Sequence, residues 1–414
     1  MRKILSSIDI GSSNIKIVVG EMIKDKLNIL AVATQASCGV KKGLIVNAKE
    51  FISSVKKAMT KIEETIGLKV TKTIVNIPPN NASFNITEAS STITNDQKVV
   101  TGNDIARVLQ GCVYNKVKKT EELITIMPIY FLVDDDKKVA DPKGIIANKL
   151  TAKSVIVTTP KKNVYSVLTC LEKIGIEVID ITFSIIGDYY ASDYEKLNDS
   201  VGAVINLGDE TTTVGIFNKG VLTNVDVIDL GGKNIDNDIS FIYKINKRDA
   251  NFLKERLSLA HRRLAQATNV EKVTNKQGEE VSINQYEISE IVNSRLVEIL
   301  NLAKKQINHL TKKEISYIIF TGGVTESADI SLVLESIFGK NYSITQIREI
   351  GVRNNIYSSS IGMIKYFSEK MKFRNKEFSI FNIEEQEEFG SYEKRVNISE
   401  SSVLGKLFGY FFDN

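Results

Sequence analysis

With 414 residues, 43% of them hydrophobic and 25% charged, the chain has the length for several packed units and the composition of an ordinary globular protein, which excludes disordered and fibrous classes. Lys+Arg 54 against Asp+Glu 50 leave a net charge of +4, too even a balance to imply a nucleic-acid partner. Cys38, Cys112 and Cys170 lie far apart and outside any CxxC spacing, as free thiols in a reducing compartment do, and the two histidines, His261 and His309, leave a zinc site or a Ser/His/Asp triad without material.

The first residues run straight into an apolar strand without the features of a signal peptide, so nothing is expected to be removed there. No apolar stretch approaches the roughly 20 residues that span a bilayer. The expectation is a cytoplasmic protein whose membrane contact, if any, is peripheral.

In chain order, residues 4–10 form a β-branched apolar run that stops at Gly11-Ser12-Ser13-Asn14, and a second strand follows over 15–20. Residues 27–35 predict a third strand. Phe51, Ile52, Val55, Ala58, Met59 and Ile62 fall at helical spacing within 48–66, and residues 73–77 give another strand before Pro78-Pro79. This order suggests an α/β layer with a partly parallel sheet.

Between about 80 and 160 the texture changes to short β-like pieces at 82–93 and 123–133 around a helix at 103–115, an inserted α+β unit. A helix over 162–174 and a strand over 178–183 follow. Residues 201–207 then open a second strand, turn and strand that repeats the first. Asp9-Ile10-Gly11 and Asn206-Leu207-Gly208 both end a buried strand in Asx-x-Gly, small hydroxyl residues come next, and new strands begin at Ile15 and Val214.

Charge-rich helical stretches at 234–268 and 286–310 flank a hairpin near 271–282 with a Lys276-Gln277-Gly278 turn. Residues 317–321 form a buried-type strand that enters Gly322-Gly323. From 372 to 402 periodicity fades and Glu384, Glu385, Glu387 and Glu388 gather, as in a solvated linker.

A turn of glycine and hydroxyl residues between strands exposes unpaired N–H groups and hydroxyls that can cradle phosphate oxygens. Alone, Gly11-Ser12-Ser13-Asn14 reads as a plain hairpin turn. The second copy points instead to two hairpins facing across a cleft and holding the β- and γ-phosphates between them. Asp9, at its strand's end, is placed to bind Mg²⁺ through water, and Lys16 to offset phosphate charge, unless it is simply a solvated lysine. Residues 318–324 are a buried strand ending in a Gly pair, against which a flat ring can lie, or another loop.

The order of Asp-x-Gly turn, second Gly/Thr turn and late strand-Gly-Gly resembles the actin, sugar-kinase and heat-shock chaperone superfamily. Residues 229–237 resemble the chaperone segment that follows the second phosphate hairpin. Within that superfamily the chain resembles the FtsA family of bacterial division proteins. Ile126-Met127-Pro128-Ile129-Tyr130-Phe131-Leu132-Val133-Asp134, followed by Asp141-Pro142-Lys143-Gly144, is similar to the "IPxxYxVD … DPxG" stretch of that family's inserted domain. Residues 168–175 and 178–181 are similar to its "CVEKxGLxVxDL" segment, and residues 250–254 to its "AExxK" helix near the adenosine, with Asn251 replacing Glu.

The chain's end adds a physical feature. At about 100° per residue, a helix over 402–413 gathers Val403, Leu404, Leu407, Phe408, Tyr410, Phe411 and Phe412 on one arc, with Gly405, Gly409, Ser402, Asp413 and Lys406 on the rest. Behind a polar linker, this describes an interfacial helix with its apolar face at the headgroup boundary. The alternative is a terminal helix docked on the protein's own core. FtsA proteins end in the same kind of element.

The resemblance implies an α/β, actin-like two-lobed ATPase fold with an inserted α+β subdomain and a C-terminal amphipathic helix. Its parts would be a lobe I core (1–80, 161–196 and about 357–371), the insert (81–160), a lobe II core (197–232 and 300–356), an outer subdomain (233–299), a flexible linker (372–400) and the membrane-targeting helix (401–414). ATP and Mg²⁺ would sit between the lobes. Asp9 would face the metal, and Gly11, Ser12, Ser13, Asn14, Lys16, Gly208, Glu210, Thr211, Thr212, Gly232, Lys254, Gly322, Gly323 and Val324 the nucleotide. The implied role is a polymer that binds the FtsZ C-terminal tail, on about residues 234–310, and anionic lipids through Val403, Leu404, Leu407, Phe408, Phe411 and Phe412. It would stand at the division site on the cytoplasmic face of the membrane and recruit later division proteins.

Three positions depart from the superfamily pattern. Asn206-Leu207-Gly208-Asp209-Glu210-Thr211 stands where Asp-x-Gly-Gly-Gly-Thr is common, so one carboxylate is lost and two acids gained beside the phosphates. Asn206 cannot serve as a general base, and ATP hydrolysis is expected to be slow or negligible. Gly322-Gly323-Val324 lacks a third glycine, and the crossing helix at 359–362 carries Ser for Ala. Two alternatives are a PilM-type pilus-assembly scaffold that binds a peptide of a membrane partner, and a small-molecule kinase of the superfamily. The apolar tail counts against the first and Asn206 against the second.

Overall fold

The computed structural model describes residues 2–192, 194–374 and 376–387. The chain begins as an antiparallel meander of β1 (Lys3–Ile10), β2 (Asn14–Ile23) and β3 (Lys26–Ala36). Lys24 and Asp25, at φ 45° and 67°, make the two-residue left-handed turn that matches strand twist between β2 and β3. A short ladder, β4 (Val40–Lys41) and β5 (Leu44–Ile45), leads into α1 (Ala48–Ile66). Asn47 caps α1, accepting from the Lys49 and Glu50 amides, and Gly67 ends it at φ 80°. Phe51, Val55, Ala58, Met59, Ile62 and Ile66 form its buried stripe, as the helical spacing predicts.

β6 (Lys72–Ile77) returns parallel to β1. The insert follows: β7 (Ser83–Thr92), α2 (Gly102–Val113), β8 (Glu121–Val133), β9 (Lys137–Val139) and β10 (Lys149–Pro160). Its antiparallel sheet has the order β7-β10-β8-β9 and its own core around Ile105, Val108, Phe131 and Leu150. β10 has no counterpart among the expected strands. It lies between two strands and is buried on both faces, so it lacks the period-two alternation by which a strand is read.

α3 (Lys161–Glu172) and β11 (Glu177–Phe183) complete a five-stranded sheet of order β11-β6-β1-β2-β3. α4 (Ser184–Ala191) then crosses to the second half. There β12 (Val201–Leu207), β13 (Thr212–Asn218), β14 (Val221–Ile228), α5 (Gly232–Ile242) and α6 (Lys247–Leu257) precede the hairpin of β15 (Val270–Thr274) and β16 (Glu280–Asn284). α7 (Gln285–Leu310), β17 (Tyr317–Thr321), α8 (Ile330–Phe338), β18 (Ser343–Ile344) and α9 (Ser358–Phe373) follow.

The second sheet has the order β14-β13-β12-β17-β18. Read from the meander inward, this is the first sheet over again: β12 stands for β1, β13 for β2, β14 for β3, β17 for β6 and β18 for β11, each neighbour pair with the same sense. The repeat seen in the sequence as two turns is a repeat of a whole sheet. α9 closes the fold by returning to the first half, where it packs across α4 and on β1.

The described residues do not show a linker starting at 372. Lys372 and Phe373 belong to α9, and beyond Asn375 the chain stays attached to the first lobe. The Ile380 amide donates to the Ile4 carbonyl at 2.9 Å, the Gln386 side chain accepts the Arg2 amide at 3.0 Å, and Ile380 and Phe381 are buried. The apolar pair outweighs the acidic composition around it. The expected membrane residues Val403, Leu404, Leu407, Phe408, Phe411 and Phe412 lie outside the described residues.

Candidate functional site

The turns after β1 and β12 are built alike. The Gly11 amide donates to the Asn14 carbonyl at 3.1 Å and the Gly208 amide to the Thr211 carbonyl at 3.0 Å. A Cβ on Gly11 would stand 2.7 Å from that Asn14 oxygen, and one on Gly208 would stand 2.8 Å from the Thr211 oxygen. Neither position admits a side chain, so each turn offers bare backbone. The ladders set Asp9 opposite Lys16 and Asn206 opposite Thr213, which makes Asn206 the second lobe's counterpart of Asp9.

Both turns open on one cavity of about 1020 Å³ between the lobes. Asp9, Gly11, Ser12, Ser13, Asn14, Lys16, Gly208, Glu210, Thr211, Gly232, Lys254, Gly322, Gly323 and Val324 all line it. Thr212 does not. It opens β13 pointing inward, fully buried, and its hydroxyl donates to the Leu230 carbonyl at 2.9 Å. Its neighbour Thr213 lines the cavity instead, because side chains alternate along a strand.

Asp9 is buried and held on both oxygens: Lys16 Nζ lies 2.6 Å from Oδ2, and Asn76 Nδ2 donates to Oδ1 at 2.9 Å. Asn76 is itself fixed, accepting the Ile10 amide at 2.6 Å. The sequence offered no sign of Asn76, since its role exists only once β6 lies beside β1. In the second turn Glu210 pairs with Lys233 and accepts the Lys42 amide at 2.7 Å. The Gly43 amide donates to Ser12 Oγ at 2.9 Å, and Lys42 Nζ meets Asp229 at 2.7 Å. The turn between β4 and β5 is thus a clasp from lobe I onto both hairpins, another feature that sequence pattern did not reveal.

These pairings set the local electrostatics. Burial pushes the Glu210 carboxyl up, but the Lys233 ammonium and the Lys42 amide hold it, on balance, below the ordinary range. Burial raises Asp209, with Lys254 and Lys233 opposing and Asp236 and Glu210 reinforcing. Lys254 is paired with Asp236 at 2.7 Å, which joins α6 to α5 at the cavity wall. At the far end Gly322 has φ 91°, and a Cβ there would meet the Leu207 carbonyl at 2.5 Å and Asn206 Oδ1 at 2.7 Å. Asn355 ties the neighbouring loops, donating from its amide to Glu326 at 2.7 Å and from Nδ2 to Thr325 Oγ1 at 2.9 Å.

Two bare glycine turns, the Ser12 and Ser13 residues of the first and lysines on both walls suit an elongated polyanion with a flat end group against Gly322–Gly323. Ser37 also lines the cavity, with its own hydroxyl buried and without a hydrogen-bond partner among the described residues. Among the described residues no three or more His, Cys, Asp or Glu side chains group to hold a metal. Asp9 is one of several carboxylates on the cavity wall, with Asp209, Glu210, Asp236, Glu255 and Glu326. No described helix is long and apolar enough to cross a membrane.

Family models match two stretches of the chain: "Cell division protein FtsA" over residues 203–362 and "SHS2 domain inserted in FTSA" over residues 81–158. The cell division protein FtsA of Bacillus subtilis (strain 168) is 27% identical over 362 residues, covering 87% of this chain and 82% of that protein. FtsA of Pseudomonas aeruginosa is 25% identical over 381 residues, covering 89% and 90%. Among solved structures, a chain of the PilM-PilN type IV pilus biogenesis complex superposes with a TM-score of 0.59 at 12% identity, over 87% of this chain and 97% of that one. MreB5 of Spiroplasma citri bound to ADP superposes at 0.54 and 12%, over 90% and 99%. These structural likenesses carry the fold alone, which is the two-lobed actin-like one with an α+β insert. With both family models on it, and division proteins matched along most of its length, the chain belongs to the FtsA family of cell division proteins.

Proposed function

We propose that the chain binds ATP·Mg²⁺ between its lobes, assembles into an actin-like polymer, and tethers FtsZ filaments to the cytoplasmic face of the membrane through residues 401–414, where it recruits later division proteins. The observation that carries the nucleotide step is the pair of like-built glycine hairpins opening on one cavity. MreB5 of Spiroplasma citri, of the same fold, is described bound to ADP and to AMPPNP. The phosphates would take the amides and hydroxyls of Gly11, Ser12, Ser13, Gly208 and Thr211 with Lys16, and the adenosine would lie against Gly322, Gly323 and Val324 near Lys254.

Bound Mg²⁺ would supply charge neutralisation for the phosphates. The protein's own lysines are largely spoken for: Lys16 by Asp9, Lys233 by Glu210 and Lys254 by Asp236. With an amide at Asn206 in the place of a carboxylate, the cleft is suited to hold nucleotide and not to turn it over quickly. Its use is conformational: a ligand that touches both hairpins favours the closed arrangement of the lobes. The FtsZ tail would dock on the outer part of the second lobe, in about residues 234–310. One apolar tail helix with Lys406 as its single cation holds a bilayer weakly, and many on one polymer hold it well.

Co-sedimentation with anionic liposomes tests this, using the intact chain and one ending at Asn397, with and without ATP·Mg²⁺. Intact protein should pellet, more so with nucleotide, and the shortened chain should stay in solution. If both stay in solution, the tether is wrong.

A further inference from the structure

We propose that Asp188 is a positioning residue of the cleft: it fixes which face of the Asn206 amide the second hairpin turns toward the ligand, and ties that choice to the crossing of α4 and α9. The inference rests on the cleft binding nucleotide.

Asp188 lies on α4 with no exposed surface, yet it is one side chain away from the cavity. Its Oδ2 accepts Asn206 Nδ2 at 2.6 Å, and its Oδ1 accepts the hydroxyls of Ser358 at 2.7 Å and Ser359 at 2.9 Å. Asn206 and Ser359 both line the cavity. A single buried carboxylate therefore joins the end of β12, in the second lobe, to the first turn of α9, which returns to the first.

Three converging donors are the environment of an ionised carboxylate, which can only accept. Burial, the largest effect, leaves the Asp188 carboxyl raised on balance; the hydrogen bonds from Asn206, Ser358 and Ser359 oppose it, and the Asp9 carboxylate adds to it. With its amide nitrogen engaged, Asn206 turns Oδ1 the other way, to within 2.7 Å of where a Cβ on Gly322 would stand and 3.7 Å of one on Gly208. The oxygen thus faces the space between the second hairpin and the Gly322 loop.

The duplication gives this its meaning. In the first hairpin the matching position is Asp9, a carboxylate beside the cleft itself. In the second, the charge has moved back onto a helix and reaches the cleft only as the polarity of a neutral amide. A neutral acceptor there takes a hydrogen bond from water, either of a hydrated cation or beside the terminal phosphate. It does so without adding charge next to Asp209 and Glu210. Were Asp188 neutral, its hold on the amide nitrogen would fall to that of an uncharged acceptor, about half as strong, and the amide would turn its nitrogen outward more often, taking the acceptor from the water.

The test is a carboxylate–amide exchange in the full chain, reading the affinity for a fluorescent ATP analogue with and without Mg²⁺, together with thermal stability. Asp188→Asn should lower the Mg²⁺-dependent gain in affinity roughly tenfold, the worth of one hydrogen bond to a charged group. Asn206→Asp, which sets two carboxylates face to face, should lose both stability and the Mg²⁺ gain, and the double variant Asp188→Asn/Asn206→Asp should recover them. An unchanged Mg²⁺ ratio in Asp188→Asn, even with lower stability, overturns the proposal, as does a double variant no better than Asn206→Asp. Should Asn206→Asp fail to fold, Asp188→Asn and the double variant decide alone. A wild-type chain that binds no analogue refutes nucleotide binding itself, a separate result.

Discussion

Gly187 on α4 and Gly362 on α9 cross in direct backbone contact: a Cβ on Gly362 would stand 1.6 Å from the Gly187 carbonyl oxygen. These are the two helices that join the lobes, so their spacing sets how the lobes sit. Gly362→Ala puts a methyl where backbone already is, and overpacking against backbone that cannot yield lies at the upper end of the usual range, about 3 kcal/mol or more. Chemical denaturation should show that loss, whereas Lys305→Ala, exposed on α7, should move the midpoint little. A Gly362→Ala chain as stable as wild type would mean the helices can part without cost.

Lys16 and Asp9 are both largely buried and 2.6 Å apart. Removing one partner of such a pair strands the other's charge, at about 3 kcal/mol; Asn76 still holds one Asp9 oxygen, so the loss should not exceed that. Lys16→Met should therefore destabilise more than the double variant Asp9→Asn/Lys16→Met. Equal losses in urea melts would show that removing Lys16 does not leave Asp9 as a costly stranded charge.

How much of this was legible beforehand follows a physical line. The strand at 317–321, the helix at 48–66 and the glycine turns were readable because each rests on local signals: an apolar run, a stripe, a turn residue. α4 escaped because its eight residues are apolar nearly all round, a run too short to be told from a strand by period. Asp188, Asn76 and the Lys42 clasp escaped for another reason. Each meets partners far along the chain, and only the sheet order brings them together. Thr212 was assigned to the cleft from its place in a motif, but strand alternation turns it inward.

Glu210 makes the clasp sensitive to acid. Its carboxyl is held below the ordinary value of 4.5 in the folded chain, on balance by Lys233 and the Lys42 amide against the opposing effect of burial. The ionised form is the one that folding favours. Its stabilisation is thus complete above the unfolded value and is lost as pH falls through the lower folded value. Thermal melts from pH 6 down to pH 3.5 should show wild type losing its advantage over Glu210→Gln across the acid limb. Parallel curves would remove Glu210 from the clasp.

Phe381 turns the composition argument around. Residues around it are polar and acidic, yet Phe381 and Ile380 are buried, Phe378 packs edge-on against Phe367 at 5.6 Å, and the backbone adds a hydrogen bond to β1 at Ile4. If this segment is part of the first lobe, Phe381→Ala leaves a cavity and should cost about 3 kcal/mol. A chain ending at Glu387 should melt like the intact one, while one ending at Arg374 should melt well below it. A Phe381→Ala chain with unchanged stability would return the segment to the free linker that its composition suggests.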